Sequence, residues 1–284
     1  RRHEVEAILR VPSGFSGRLQ NGDAKVQLVV NGSESTSAAT IESYVNGVLA
    51  LWAQKEADRA GPAGQTTVAG SVQVQQRLWF NEAGESTWFL VPGLLVLVLT
   101  LIGAFLTSLL IAREWERGTM ESLFVTPVRP LEIVLAKLIP YVGVGLVDLA
   151  MCLLAAHFLF EVPMRGSLGM MVLGGTLYLV VSLLMGLFIS GRTRNQFQAS
   201  QVALLGSLLP SMMLSGFIFD LRNAPALVQV IGHLLPATHF MGLTKSLFLM
   251  GNHWPTIAQD LAILLLYAVL LLWATLRTVR KRLD

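Results

Sequence analysis

The sequence predicts a mainly α-helical protein that crosses a membrane several times and carries a small extracytoplasmic α/β domain at its N-terminal end. Three observations predict it. The chain of 284 residues is 53% apolar and only 14% charged, which departs from the balance of a soluble domain. Its charges crowd into short segments between five long apolar runs, at about 88–112, 138–162, 167–190, 198–218 and 257–276. Residues 1–87, by contrast, hold the Ser, Gly, Asn, Gln and charged side chains of a water-exposed fold.

Within that first region, VEAILRV (5–11) reads as a strand and SGFSGRLQNG (13–22) as a short helix, with Ser13 as N-cap and Gly22 after its end. KVQLVVNG (25–32) is a second strand closed by Asn31-Gly32. From Thr36 to about Ala60 the apolar positions Ile41, Tyr44, Val45, Val48, Leu49 and Trp52 recur at helical spacing. A last strand, SVQVQQRLWF (71–80), leads toward the membrane, after the loop AGPAGQ (60–65). The region shows neither a metal cluster nor convergent catalytic groups, so its expected role is structural or gating.

Each apolar run is long enough for a hydrocarbon core of about 30 Å, which takes roughly 20 helical residues. Lys and Arg in the connections set the orientation. One side holds Arg113, Arg117, Arg129, Lys137, Arg192, Arg194, Arg277, Arg280, Lys281 and Arg282, ten in all, against Arg165, Arg222 and Lys245 on the other. The ten mark the cytoplasm, which puts residues 1–87 outside and the C-terminus inside. An exported domain needs a signal peptide or an earlier span, and RRHEVEAILR offers neither, so the expectation is a fragment preceded by one more transmembrane helix, six spans in total. The single Cys152 lies within a span, where no intrachain disulfide can form.

In the third run Ser182, Gly186 and Ser190 repeat every four residues and give one helix face small enough for close approach, either within one subunit or between two. Asp148 falls near the middle of the second run, where an ionised carboxylate is costly, and is a candidate for the transport path or else a protonated or hydrogen-bonded group facing the bundle. His157, nine residues on, is turned by about 900° and lies on the opposite face. The stretch 208–248 is too apolar for an ordinary loop, yet Pro210, Gly216, Pro225 and Pro236 cut it into pieces too short to span. Such pieces fit a re-entrant outer region at about 219–248. His233, His239 and His253 match no usual metal-ligand spacing and no carboxylate joins them, so no metal is expected.

No GxxxxGK[ST] stretch occurs, and GLTKS (242–246) lacks the first glycine at the required spacing. Neither a GxSxG elbow nor an HExxH helix is present, which excludes the common hydrolase signatures. The chain is therefore read as a transport subunit and not an enzyme. Any nucleotide power must come from a separate ATPase.

The segment AREWERGTMESLFVTPVRP (112–130) stands in the cytoplasmic connection. A helix is expected from about 113 to 124, with Arg113, Arg117 and Glu121 four apart on a charged side, and Trp115, Thr119 and Leu123, flanked by Met120 and Phe124, on an apolar one. Pro127 and Pro130 end it. Residues 113–132 hold three Arg against four Glu, and that balance suits a protein groove better than the basic face of a lipid-surface helix.

RLWFN and VPG at the first span, the segment AREWERGTMESLFVTPVRPLEIVLAKLIPY, then LPSMMLSGFIF and LLPATHF, resemble the ABC-2 type permease family, nearest to its bacterial multidrug-efflux subgroup. The outer segment VPSGFSGRL, VQLVVNGSESTSAA resembles that subgroup's extracytoplasmic domain. The resemblance implies a multi-pass subunit of the cytoplasmic (inner) membrane that exports amphipathic or hydrophobic compounds, drugs among them. It pairs with itself or a sibling permease, sits on two ATPase subunits that bind ATP and Mg, and binds no cofactor itself. Membrane lipid and a periplasmic adaptor are further expected partners, and nucleic acid is not. Mapped residue by residue, the coupling element covers Arg113, Glu114, Trp115, Glu116, Arg117, Gly118, Thr119, Leu123 and Pro127, and the outer gate covers Pro210, Ser215, Gly216, Pro225, Pro236 and His239. The chain departs from the pattern at Asn81-Glu82, where the subgroup usually has Asn-Pro, and the resemblance assigns nothing to Asp148. An ion-coupled secondary transporter built on Asp148 and the broken helices is the alternative, and a receptor signalling through its outer domain is a more distant one. Substrate, and homodimer against heterodimer, stay open.

Overall fold

A computed structural model describes residues 7–20, 24–31, 35–60, 73–79, 87–120, 127–218, 221 and 224–279. The chain divides into two compact units, Arg1–Phe89 and Leu90–Asp284.

The first unit runs β1 (Ala7–Arg10), α1 (Phe15–Gln20), β2 (Lys25–Asn31), α2 (Ser35–Ala60) and β3 (Gln73–Trp79). Its sheet has the order β1-β2-β3, with β2 antiparallel to β1 from Ala7↔Val30 and parallel to β3 from Lys25↔Gln73. A parallel neighbour needs a long crossover, and α2 supplies it. Strand alternation decides which face α2 covers: Val26, Leu28 and Val30 are buried, and Ala38, Ile41 and Val45 of α2 meet Leu28 and Val30. Tyr44, Val48 and Leu51, on another side of α2, are exposed.

The second unit is helical. Five helices among the described residues are long and apolar enough to cross a membrane. The first, Thr87–Glu116, joins α3 (Thr87–Thr100) and α4 (Leu106–Glu116) through a π turn at Leu101–Phe105. The second and third are α5 (Pro130–Phe158) and α6 (Leu168–Thr193). The fourth, Gln196–Leu214, is α7 (Gln196–Ala203) and α8 (Leu209–Leu214) with a π turn at Leu204–Leu208 between them. Then come α9 (Ala226–His233) and α10 (Pro236–Lys245), the latter continued by a π turn at Ser246–Met250, and finally α11 (Trp254–Thr278). The pieces Ala226–His233 and Pro236–Met250 meet at 83°, a broken span or a re-entrant loop.

Helix ends follow local chemistry. Arg129 is extended, as the residue before a proline prefers, Pro130 opens α5, and the Glu132 carboxylate accepts the Arg129 N–H at 2.9 Å. α6 closes on Arg194 in the left-handed region (φ 56°), and Asn195 at once caps α7 by accepting the Gln198 N–H at 3.0 Å.

The centre of this unit is α6, which packs against α4, α5, α10 and α11 and buries Met171, Tyr178, Leu179, Leu183 and Leu187. In lipid, apolar side chains gain little by meeting each other, so close backbone approach and hydrogen bonds carry the association. The Ser182–Gly186–Ser190 face meets the first span of the same chain. A Cβ on Gly103 would lie 2.5 Å from Ser182 Cβ, and one on Gly186 would lie 2.3 Å from the Ala104 carbonyl oxygen. Thr107 Oγ1 lies 2.9 Å from the Leu183 carbonyl and donates to it, while Ser190 Oγ accepts the N–H groups of Ile111 (2.9 Å) and Ala112 (2.8 Å). Of the two uses the sequence leaves open for this stripe, packing inside one chain is the one observed.

Nearer the middle, the buried Tyr178 shares a hydrogen bond with Thr100 and stacks on Phe240, ring centroids 4.4 Å apart. Replacing Tyr178 by Phe removes the bond and keeps the stack, so the expected loss is about 1 kcal/mol. Thermal unfolding of the purified protein should read this as a fall of about 2–4 °C. Tyr178→Ala, which also empties the site, should cost about 3–5 kcal/mol.

Candidate functional site

The described coupling residues close or follow the first span, and three of them, Glu114, Trp115 and Glu116, meet two other chain segments. Glu114, at the end of α4, forms an ion pair with Lys137 of α5, and the two side chains are 26% and 16% exposed, enough burial to strengthen the pair over a surface one. Glu116, two residues on, accepts the Gln196 backbone N–H at 2.8 Å and the Gln196 side-chain amide. Between them Trp115 lies under the Arg194 guanidinium, 4.3 Å from the ring centre, a cation–π contact. The first span is thereby tied to the start of the second and to the turn between the third and fourth. Lys137, Arg194 and Gln196 complete the cluster, and sequence reasoning used the two cations only to count charge. Nothing in their spacing from residue 114 announces the contact, since it depends on how the helices pair.

The helix expected over 113–124 does not form as one piece. α4 ends at Glu116, Arg117 N–H still bonds the Arg113 carbonyl at 3.2 Å, and Gly118 turns left-handed (φ 70°) while donating to the Trp115 carbonyl at 3.1 Å. A residue without Cβ enters that region at no steric cost, so Gly118 stops the helix where periodicity alone would carry it on. Arg113, Arg117, Gly118 and Thr119 are exposed, Met120 is buried, and Thr119 Oγ1 donates to the Glu114 carbonyl. Pro127 is exposed just before α5, whereas Leu123, like Glu121, Phe124 and Asn81-Glu82, lies outside the described residues.

Asp148 stands on α5 with Oδ1 3.9 Å from Cys152 Sγ and Oδ2 buried without a hydrogen-bond partner among the described residues. The same stretch of α5 borders an apolar cavity of about 510 Å³, lined by Leu149, Leu153, His157, Val162, Leu168 and Phe248 among others.

Of the predicted gate residues, Pro210 stands inside the fourth span, which runs on to Leu214, so it does not cut the chain as the sequence predicts, while Ser215, Gly216, Pro225 and Pro236 fall in the broken stretch after it. Pro210 sits in the first turn of α8, Ser215 is buried, and Gly216 (φ 79°) accepts the Lys245 ammonium at 2.8 Å on its carbonyl. Pro225 precedes α9, and Pro236 opens α10. A helix ends with carbonyls that have no partner in the helix itself, and at membrane depth these must be satisfied. Here side chains of the next two helices do it: Thr238 donates to Gly232 (2.6 Å), His239 Nε2 meets the His233 carbonyl (3.0 Å), and the Tyr267 hydroxyl donates to Leu234 (2.6 Å).

The expectation that no carboxylate joins the histidines is overturned at one of them. Asp260, at the start of α11 and 8% exposed, places Oδ1 3.1 Å from His239 Nδ1. Only one histidine and one carboxylate converge there, and among the described residues no group of three or more His, Cys, Asp or Glu is placed to hold a metal. Asp260 is the site residue that the sequence most nearly offered, an acid just inside an apolar run, where the argument applied to Asp148 holds equally.

A family model described as ABC-2 family transporter protein matches residues 1–277. Among curated proteins, the Probable multidrug ABC transporter permease YbhS of Escherichia coli (strain K12) is 39% identical over 283 residues, covering 99% of this chain and 74% of that protein. The Probable multidrug ABC transporter permease YbhR of the same organism is 28% identical over 243 residues, covering 85% and 64%. ABC transporter G family member 20 of Dictyostelium discoideum is 26% identical over 196 residues, covering 68% of this chain and 27% of that one. No solved structure matches.

Proposed function

We propose, from the premise that this chain belongs to the ABC-2 family of transporter proteins, that it is the permease subunit of an ATP-driven exporter moving amphipathic or hydrophobic compounds out across the cytoplasmic membrane. Work done on nucleotide by a separate ATPase enters at Arg113–Thr119. The observation that carries the reading is the cluster of Glu114 with Lys137, Trp115 with Arg194 and Glu116 with Gln196. A displacement of that corner moves the first span, α5 and the turn between α6 and α7 together, because the contacts join those three chain segments. Arg113 and Arg117 point to solvent there and supply cations for a docking partner. In this reading the cluster lies in the cytoplasm, residues 1–87 lie outside, and the bend between α9 and α10 is the outer gate, with Pro210, Ser215, Gly216, Pro225, Pro236 and His239 around it. Asp148 is assigned to the transport path because its buried Oδ2 is unbonded among the described residues. A cavity without charged walls supports an apolar cargo.

Two copies of the permease, or one copy with a sibling, and two ATPase subunits form the working unit. The test is purification of the intact assembly in lipid nanodiscs with an assay for ATP hydrolysis. Hydrolysis should rise severalfold on adding amphiphilic cations or dyes and should be accompanied by their export from vesicles. Export that follows a proton or sodium gradient, with no nucleotide-binding partner in the assembly, would overturn the reading in favour of ion coupling.

A further inference from the structure

His239 meets a hydrogen-bond acceptor at each ring nitrogen: Asp260 Oδ1 is 3.1 Å from Nδ1 and the His233 carbonyl oxygen is 3.0 Å from Nε2. A neutral imidazole has a single N–H and can satisfy only one of these acceptors when Asp260 is ionised. Both contacts are hydrogen bonds in just two arrangements. In one, the ring is doubly protonated and Asp260 is a carboxylate. In the other, the ring carries its proton on Nε2 and Asp260 Oδ1 carries an acid proton that it donates to Nδ1. Either way, the pair holds one proton more than a neutral histidine beside an ionised aspartate.

We infer that His239, Asp260 and the His233 carbonyl form a proton-binding clasp that holds the bend between α9 and α10 onto α11, and that losing its proton to the outer solution releases the bend. The inference rests on the outer-gate reading for its consequence in transport, but not for the clasp itself. With the proton gone, two lone pairs face each other about 3 Å apart at one of the two contacts. The contact that yields is either the end of α9, through His233, or α11, through Asp260. The clasp occupies the elbow of the 83° bend, so either loss loosens the elbow. The pair is shielded but not sealed, its side chains being 13% and 11% exposed, so the proton exchanges with water without the pair being an ordinary surface group.

The other titratable groups on the surrounding elements are engaged or exposed elsewhere. Lys245 of α10 bonds the Gly216 carbonyl, Tyr267 of α11 bonds the Leu234 carbonyl, Tyr178 of α6 bonds Thr100, Arg277 in the last turn of α11 lies over the Trp273 ring, Arg192 in the last turn of α6 is exposed, and the His233 ring on α9 is exposed while its backbone carbonyl serves the clasp. The described residues of α8 carry no titratable side chain.

The test is hydrogen–deuterium exchange on the full-length permease assembled with its ATPase in nanodiscs, following peptides from 226–245 from about pH 5 to pH 9 and referenced to α6 peptides of the same sample. The protection of 226–245 should fall roughly tenfold as pH rises, in a single one-proton step, which is the size expected for loss of one hydrogen bond to a charged group. His239→Gln and Asp260→Leu should show low protection at every pH. His233→Ala should keep the step, since the clasp uses only its backbone carbonyl. Protection that stays constant with pH in the native protein, or a step that survives in His239→Gln, overturns the proposal. Export measured across the same pH range separates the two readings: a step in protection without a change in export keeps the clasp and removes the gate assignment from this bend.

Discussion

Replacing Glu114 and Arg117 together by Ala should leave the permease inserted and the proposed ATPase partner still hydrolysing, while export should fall at least tenfold. The two residues act differently. Glu114 is largely shielded and its partner Lys137 still more so, and removing the acid strands an ammonium among helices. Truncating one member of such a pair costs about 2–5 kcal/mol, most of it for the partner left unpaired. That loosens the first span from the second at the corner where force would enter. Arg117 is exposed, and its replacement alone should change stability by no more than about 0.5 kcal/mol, so its effect should appear only in coupling. Export and ATP hydrolysis measured in the same proteoliposomes check both halves. Reversing the pair, Glu114→Lys with Lys137→Glu, should recover part of the lost export. A double variant that couples as well as the native protein would remove this segment from the mechanism.

Gly186→Val should yield almost no folded protein. A Cβ at that position would sit 2.0 Å from Thr107 Oγ1 and 2.3 Å from the Ala104 carbonyl oxygen, and the second of these is backbone that cannot rotate away. The first span and α6 would have to separate, breaking the bonds from Thr107 to Leu183 and from Ile111 and Ala112 to Ser190. Overpacking alone costs about 1–3 kcal/mol, and losing these bonds adds to it, against a total stability of about 5–15 kcal/mol. Gly143→Ala is the control, because a Cβ there meets nothing within 4 Å. Size-exclusion profiles and thermal unfolding of the two variants should differ accordingly, and a well-folded Gly186→Val protein would contradict the packing described.

What could be read from the sequence was whatever repeats locally. Apolar runs of about twenty residues gave the positions of five membrane-length helices, and alternation in KVQLVVN gave β2 with its buried Val26, Leu28 and Val30. Pro225 and Pro236 marked the starts of the two short helices for the same reason, since each acts on its own neighbours, whereas Pro210 stands inside the fourth span without breaking it. What could not be read was fixed between distant segments. Lys137 and Arg194 carry the same charge wherever they sit, and only the fold puts one on Glu114 and the other on Trp115. Gly118 is a different case, because a glycine near an expected helix end is a stop signal, and weighing it over the Trp115–Thr119–Leu123 spacing would have ended α4 correctly. Asp260 was passed over because it stands among leucines at the start of a run that reads cleanly as a span, and its histidine lies 21 residues earlier.

The π turn at Leu101–Phe105 bears on how sequences of this kind are aligned and edited. A wide turn holds one residue beyond what an α-helix needs for the same rise, so it sets the angular phase between the membrane half of the first span and its charged end. Deleting one residue there would let the helix run straight with its phase nearly kept, whereas adding or removing one on either side, with the wide turn left in place, would turn Leu106–Glu116 by about 100° relative to Thr87–Thr100. Thr107 would swing off Leu183 and Glu114 off Lys137, although every side chain named in both contacts would still be present. A gap placed carelessly beside that turn therefore changes the gearing of the protein while leaving its composition nearly untouched.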